Sequence, residues 1–353
     1  MNTPHDKKFG VAIVGGSGYG AGELLRITLA HPALEVCCVT SRTHADKPVA
    51  SVHSHLEGLT SLRFSDSINL AQLHSYTRSA VVLAMPSGHA IPTIRELLNS
   101  LKEDSIIIDL SGDLRLKHPE THATFYPEVS LDPDLHARFF YSLPEVTGIS
   151  AEQTRFITNP GCLATAAILS LAPLRSLQAR GSVVIDAKTG TSGAGREPQA
   201  SMHHPARFAD FTAYKVLQHR HEPEIAQALG AQFAQNFSFM FVPHLLPVSR
   251  GIFVTSYVTL ESEAQAIMLR EGYHQLYKDQ PLIRMRSSAP RLADVVGTAF
   301  CDIHVVTRGA QVVVMAAIDN LGKGMATQAL QNLNLAFGLP QETGLLRAAL
   351  GPV

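Results

Sequence analysis

Phe9-Gly10-Val11-Ala12-Ile13-Val14, a short apolar β-branched run, leads directly into Gly15-Gly16-Ser17-Gly18-Tyr19-Gly20-Ala21-Gly22 and then into the helical stretch Glu23-Leu24-Leu25-Arg26-Ile27-Thr28-Leu29. Strand, glycine loop and helix in that order constrain the fold more than any other part of the chain. Such a turn lets backbone approach a pyrophosphate while the helix N-terminus faces its negative charge. The spacing Gly15-x-x-Gly18-x-x-Ala21 differs from the commoner G-x-G-x-x-G, so the position after the first strand carries the reading. Gly15, Ser17, Gly18 and Tyr19 are the cofactor contacts expected on this loop.

Buried-strand candidates recur at Leu34–Thr40, Ala80–Met85 and Ser105–Leu110, with helical patterns such as Ile91–Leu101 between some of them. This alternation implies a parallel sheet, and residues 1–160 read as a Rossmann-type, doubly wound α/β nucleotide-binding domain. Beyond it the candidates lengthen, to Ser182–Ala187, Phe237–Val242, Gly251–Leu260, Ala299–Val306 and Gln311–Ile318. They predict a second, α+β domain over 161–322 around a mixed or antiparallel sheet. The helical pattern from Gly324 to Phe337 follows that sheet, and residues 323–353 are assigned to completing the first domain.

Val39-Thr40-Ser41-Arg42 ends the second strand with a hydroxyl and a guanidinium where an adenine ribose would lie, and the acidic residue expected for NAD is missing. Arginine there accommodates a 2′-phosphate, so Ser41 and Arg42 point to NADP(H). Met85-Pro86-Ser87-Gly88 is a second loop positioned to touch the cofactor, through Ser87. A formal net charge of −1 gives no electrostatic case for nucleic acid or an anionic membrane, which leaves small molecules as the default partner. Met1–Lys8 lacks the apolar core of a signal peptide, and no apolar run approaches the roughly 20 residues that span a bilayer, so a cytoplasmic location is expected.

The four cysteines fit neither a disulfide framework nor a zinc-ligand spacing. Cys37, Cys38 and Cys301 lie in strand-like apolar runs and read as packing residues. Cys162 differs, because Asn159-Pro160-Gly161-Cys162 is a tight turn opening onto a helical apolar stretch that reaches Leu171. First-turn amides and the positive end of the helix dipole stabilise negative charge, so a cysteine there is a candidate nucleophile. The small-residue loop Lys188–Arg196 follows a strand and is read as a second backbone platform for cofactor or substrate, with Ser192 and Gly193 at its centre. His219-Arg220-His221 sits just before a helix expected to begin near Pro223; in an extended segment the two imidazoles would face the same way. Either imidazole suits proton transfer beside a thiol, whereas a metal site lacks a third ligand at recognisable spacing and none is assigned.

Together these stretches resemble the N-acetyl-γ-glutamyl-phosphate reductase family, within the semialdehyde dehydrogenases that act on acyl phosphates. The carriers are Gly15–Arg26, Asn159–Ala167, Ser192–Arg196, His219–Ile225, Pro243–Gly251 and Asp319–Gly324, in the family order and across nearly the whole chain. The resemblance implies that Cys162 is the nucleophile, that His219 or His221 is its acid/base partner, that Asn320 lies near the nicotinamide, and that the protein is a homodimer or homotetramer. Asn159, Arg196, Arg220 and Arg250 are the candidate substrate contacts, the arginines for phosphate or an α-carboxylate. Two departures stand out: Gly20-Ala21-Gly22 replaces the family's Thr-Gly-Ala, and Leu163 replaces a tyrosine. With Gly16, Thr40-Ser41-Arg42 and His203-His204-Pro205, the second brings the chain closer to relatives that reduce aminoadipyl (or glutamyl) phosphate on a small acidic amino-group carrier protein. The implied reaction is NADPH-dependent reduction of an acyl phosphate to an aldehyde, N-acetyl-γ-glutamyl phosphate first and the carrier-linked substrate second. A non-catalytic NADP-binding sensor and an NAD-linked aldehyde oxidation are the rival readings.

Overall fold

The computed structural model describes residues 9–149 and 155–349, so the outer ends of the two sequence-assigned domains lie outside the described residues. The chain separates into two compact units. The first holds the chain up to Ser142 with Gly148–Pro160 and Met325–Leu345; the second holds Leu143–Thr147, Gly161–Gly324 and the end of the chain from Leu346.

The first unit is built on a parallel sheet of β1 (Phe9–Val14), β2 (Leu34–Thr40), β3 (Phe64–Ser65), β4 (Arg78–Leu83), β5 (Ile106–Asp109), β6 (Phe140–Tyr141) and β7 (Phe156–Thr158), ordered β3-β2-β1-β4-β5-β7-β6. Its central strands are almost wholly buried and mostly apolar, with Arg78 and Ser79 opening β4 and Asp109 closing β5, as a sheet covered on both faces requires. Strand order reverses between β1 and β4, so their C-terminal loops, at Gly15 and at Met85–Gly88, open at the switch point where doubly wound sheets bind ligands. The late helical pattern forms a π-turn at Gly322–Ala326 and the helix Thr327–Ala336. Within this unit Phe337 stacks on Phe9, with ring centroids 4.3 Å apart.

The second unit is built on a mixed sheet of β8 (Gly181–Thr189), β9 (Thr212–Ala213), β10 (Phe237–Leu245), β11 (Ile252–Leu260), β12 (Ile283–Met285), β13 (Cys301–Arg308) and β14 (Gln311–Ile318), ordered β12-β13-β14-β11-β8-β10-β9. β8 runs parallel to β10 and antiparallel to β11, so the sheet is of the mixed kind. Alternation is clear on β11, where Ile252, Val254, Ser256, Val258 and Leu260 are buried and the residues between them are not. The helices Cys162–Leu171 and Glu263–Tyr277 are joined by Tyr273 Oη and Tyr277 Oη, which donate to the carbonyls of Ser170 (2.5 Å) and Leu169 (2.6 Å). Both buried phenols thereby find acceptors, and the helix that starts at Cys162 is fixed from behind.

Candidate active site

In the first unit, the nucleotide loop has the geometry its glycines demand. Gly15 takes φ +81°, and a side chain there would also meet the Ala84 carbonyl oxygen, 2.6 Å from an ideal Cβ. Gly18 caps the helix Tyr19–Thr28 in an extended conformation with no side-chain cap and no acidic residue in the first turn. Nothing lies within 4 Å of where its Cβ would be. An uncapped, uncharged helix start beneath open space fits a pyrophosphate. Ser17 is half-buried beside it and Tyr19 is 41% exposed.

At the end of β2, Ser41 is buried and its Oγ lies 3.3 Å from both Thr43 Oγ1 and His44 Nδ1, while Arg42 is exposed at the start of a short 3-10 turn. After β4, Ser87 Oγ and the amides of Gly88 and Ala90 all donate to the buried Asp113 carboxylate, at 2.8, 3.0 and 3.2 Å. Asp113 thus clamps this loop and caps the helix Ala90–Leu98, a role sequence reasoning missed. Ser87 has committed its hydrogen and keeps only lone pairs for a ligand. Asn159 is 1% exposed, and its amide joins the carbonyl of Met325 (3.3 Å) and the side chain of Asn332 (3.3 Å). These bonds favour a scaffold role over the substrate contact expected for it.

In the second unit, Cys162 is the first residue of the helix Cys162–Leu171, with Gly161 as an extended cap. It is half-buried, whereas Cys37, Cys38 and Cys301 are buried. Burial pushes the Cys37 thiol up to about 12 and raises Cys301 further, so neither supplies thiolate at neutral pH. Two close approaches frame Cys162. An ideal Cβ on Gly161 would lie 2.2 Å from His221 Nε2, and one on Gly324 would lie 2.8 Å from Cys162 Cβ. Glu224, wholly buried and one helical turn after His221, accepts the Gly161 N–H at 2.7 Å. The i, i+3 spacing of His221 and Glu224 was the available signal for that carboxylate.

The histidines are brought together differently from the extended arrangement expected. Lys215 and Leu217 adopt left-handed φ of 44° and 56°, folding the chain sharply before His219, and the helix begins at His221, ahead of Pro223. The His219 and His221 rings are 4.7 Å apart, and His219 Nδ1 accepts the His221 backbone N–H at 3.1 Å. Its remaining hydrogen therefore sits on Nε2. Burial, followed by the charges of Arg220 and Lys215, lowers the His219 pKa to about 3, so this imidazole is neutral at physiological pH. Tyr214 packs edge-on to His219 at 5.5 Å, and its hydroxyl is pushed up by burial and then by the Cys162 charge.

Asn320 is 2% exposed; it accepts the Gly251 N–H at 2.8 Å and donates to Ser192 Oγ at 2.9 Å, tying itself to the Ser192-Gly193 turn. That turn is a short 3-10 helix, Thr191–Ala194, held by amide bonds from Gly190, Thr191 and Ser192 to the segment 248–251. Arg250 is paired with the buried Asp319 through two nitrogens, at 3.2 and 2.5 Å, which favours a structural role for it. Arg220 is exposed at the start of the His221 helix, and Arg196 is half-buried. Among the described residues, no group of three or more His, Cys, Asp or Glu is placed to hold a metal ion.

The fold is that of the semialdehyde dehydrogenase class: residues 10–154 match the family model of the semialdehyde dehydrogenase NAD-binding domain, and residues 162–320 that of its dimerisation domain. Aspartate semialdehyde dehydrogenase II from Vibrio cholerae shares the fold, with a TM-score of 0.65 and 13% identity over 94% of this chain and 99% of that one. N-acetyl-γ-glutamyl-phosphate reductases are more similar in sequence: that of Pelotomaculum thermopropionicum is 39% identical over 97% of this chain and 99% of its own length. That of Methanosarcina barkeri is 38% identical over 96% and 98%. The chain belongs to the N-acetyl-γ-glutamyl-phosphate reductase family. It is an oxidoreductase, and its first unit is the NADP(H)-binding domain of that family.

Proposed function

We propose that the protein reduces N-acetyl-γ-glutamyl phosphate to N-acetylglutamate semialdehyde and phosphate with NADPH, a step of arginine biosynthesis, through a thioester on Cys162. The observation that carries the reading is the half-buried Cys162 at a helix start, with His221 Nε2 lying against the preceding glycine. The first-turn amides and helix dipole stabilise the Cys162 thiolate as His221 takes its proton. The sulfur attacks the acyl carbon, the carbon–oxygen bond to phosphate breaks, and phosphate leaves with the electron pair and the proton held by His221. Bound NADPH supplies a hydride. The resulting hemithioacetal oxyanion is held by the same amides and collapses, expelling the thiolate and releasing the aldehyde. His219 stays neutral and braces His221 through the bond from the His221 amide.

Gly15, Ser17 and Gly18 are assigned to the pyrophosphate, Ser41 and Arg42 to the 2′-phosphate, and Ser192, Gly193 and Asn320 to the nicotinamide. Arg220 and Arg196 are the candidates for substrate anions, and Arg250 is set aside by its pairing with Asp319. The names of the relatives favour the acetylated substrate over the carrier-linked one. The test follows NADPH formation with NADP+, phosphate and N-acetylglutamate semialdehyde, beside the carrier-linked aminoadipate semialdehyde. Phosphate-dependent turnover of the acetylated compound supports the assignment; turnover of the carrier-linked compound alone moves the substrate, and silence from folded, NADP+-binding protein sinks the enzyme reading.

The protein is further proposed to be a homodimer that pairs through the open face of the second sheet. On that face Met240, Val184, Tyr257, Val313 and Val306 are register partners across five strands, and Met240, Tyr257 and Val306 are 48%, 47% and 46% exposed. An apolar row of this kind on a domain of the dimerisation type suits a second copy. Among the described residues no helix is long and apolar enough to cross a membrane, and a cytoplasmic location is proposed.

A further inference from the structure

The buried histidine His53 lies outside every motif that pointed to the cofactor, yet it touches the nucleotide loop at two places. Its Nε2 is 2.7 Å from the Gly16 carbonyl oxygen. Carbonyl oxygen only accepts, so Nε2 carries the hydrogen and donates it. The other ring nitrogen lies 2.5 Å from where a Cβ on Gly22 would be, so the imidazole fits between the loop and the backbone of the helix Tyr19–Thr28. His53 is 1% exposed, and its own backbone is pinned by bonds from its N–H to the Val49 carbonyl (2.9 Å) and from the Leu56 N–H to its carbonyl (2.8 Å). This accounts for the unusual Gly20-Ala21-Gly22: Gly22 leaves room for the imidazole, and Gly20 leaves room for Met325, whose sulfur is 2.2 Å from an ideal Cβ at that position.

We infer that His53 is a positioning residue for dinucleotide binding, aiming the Ser17 amide at the pyrophosphate. The inference rests on the assignment of this loop to NADP(H). A trans peptide is planar, with its C=O and N–H pointing in opposite directions. Gly16 has its N–H fixed on the Thr40 carbonyl at 2.8 Å and its C=O fixed on His53. The next amide, Ser17 N–H, is therefore turned away from the imidazole and from the buried side of the loop. Among the described residues the Ser17 and Gly18 amides donate to no protein acceptor. Without the His53 bond, the Gly16–Ser17 peptide is free to rotate, and the loop must be ordered by the ligand at the expense of affinity.

The test measures dissociation constants by calorimetry for NADP+ and for adenosine 2′-monophosphate, which carries the adenosine and 2′-phosphate without the pyrophosphate. His53→Phe keeps a planar ring and removes the donor; NADP+ should bind about tenfold more weakly, the effect of one buried hydrogen bond, with the monophosphate within about twofold of wild type. His53→Gln, whose amide nitrogen restores the donor, should recover most of the loss. Gly22→Ala should reproduce the His53→Phe result, because its Cβ displaces the imidazole, and it decides the matter if His53→Phe does not fold. Unchanged NADP+ affinity in folded His53→Phe and Gly22→Ala, or an equal loss for both ligands, would overturn the inference. Wild-type protein that fails to bind NADP+ would instead overturn the cofactor assignment beneath it.

Discussion

Gly161→Ala is a one-carbon change that reports directly on the contact between His221 and the cysteine turn. The added Cβ would lie 2.2 Å from His221 Nε2, against an ordinary contact of about 3.4 Å, so the imidazole or the turn must give way by about 1.2 Å. Gly161 is extended, at φ −70° and ψ 150°, so alanine meets no backbone penalty there and the cost is the displacement itself. A shift of about 1 Å in a reacting group costs on the order of a hundredfold in rate. In the aldehyde-to-acyl-phosphate direction, kcat should fall by about that factor while the NADP+ dissociation constant stays within about twofold. Steady-state rates at saturating NADP+, phosphate and aldehyde supply the first number, and calorimetry the second. Folded Gly161→Ala protein with kcat within about threefold of wild type would refute the placing of His221 as the proton carrier.

The pH dependence of stability follows from His219, whose folded pKa of about 3 lies below the ordinary 6.5. The unfolded chain binds the proton more readily, so its contribution is complete above pH 6.5 and is lost as pH falls from there toward 3. His219→Asn, which keeps an acceptor for the His221 amide, should flatten the slope of unfolding free energy between pH 5 and 6 by up to one proton, about 1.4 kcal/mol per pH unit; an unchanged slope in denaturant titrations would contradict the assignment. Arg42→Ala should reduce the preference for NADP+ over NAD+ by about tenfold in paired binding titrations, and an undiminished ratio would remove Arg42 from the 2′-phosphate site. Tyr257→Arg, which places a charge in the middle of the exposed apolar row, should shift sedimentation from dimer to monomer, and a stable dimer would move the interface elsewhere.

Local pattern was enough wherever an element's character is written in neighbouring residues. β1, β2 and β14 have the spans expected of them, because each is a β-branched run bounded by turn residues. The helix at Cys162 was equally legible, since Pro160-Gly161 precedes an apolar stretch rich in alanine and leucine with no further Gly or Pro before Leu171. What escaped depends on residues far apart in the chain. Glu224 reaches Gly161 across 63 positions, Asp113 reaches Ser87 across 26, and His53 reaches Gly16 across 37. Helical spacing puts Glu224 on the His221 face, but no periodicity names the distant partner in any of these bonds, which tertiary packing supplies in place of water. The histidine pair was expected for a mistaken local reason: left-handed Lys215 and Leu217 replace the extended segment and still bring the rings together. Leu143–Thr147 grouping with the second unit was equally hidden, although its Glu145 forms a wholly buried ion pair with Lys323 of that unit at 2.5 Å.

The central claim is a thioester on Cys162, and omitting phosphate isolates it. Enzyme mixed with N-acetylglutamate semialdehyde and NADP+ alone should release a single burst of NADPH, up to one equivalent per chain. Peptide mass spectrometry should find the N-acetylglutamyl group on Cys162, discharged when phosphate is added and absent from Cys162→Ser, which should still bind NADP+. A full burst from Cys162→Ser, or an acyl group carried by another residue, would contradict the mechanism.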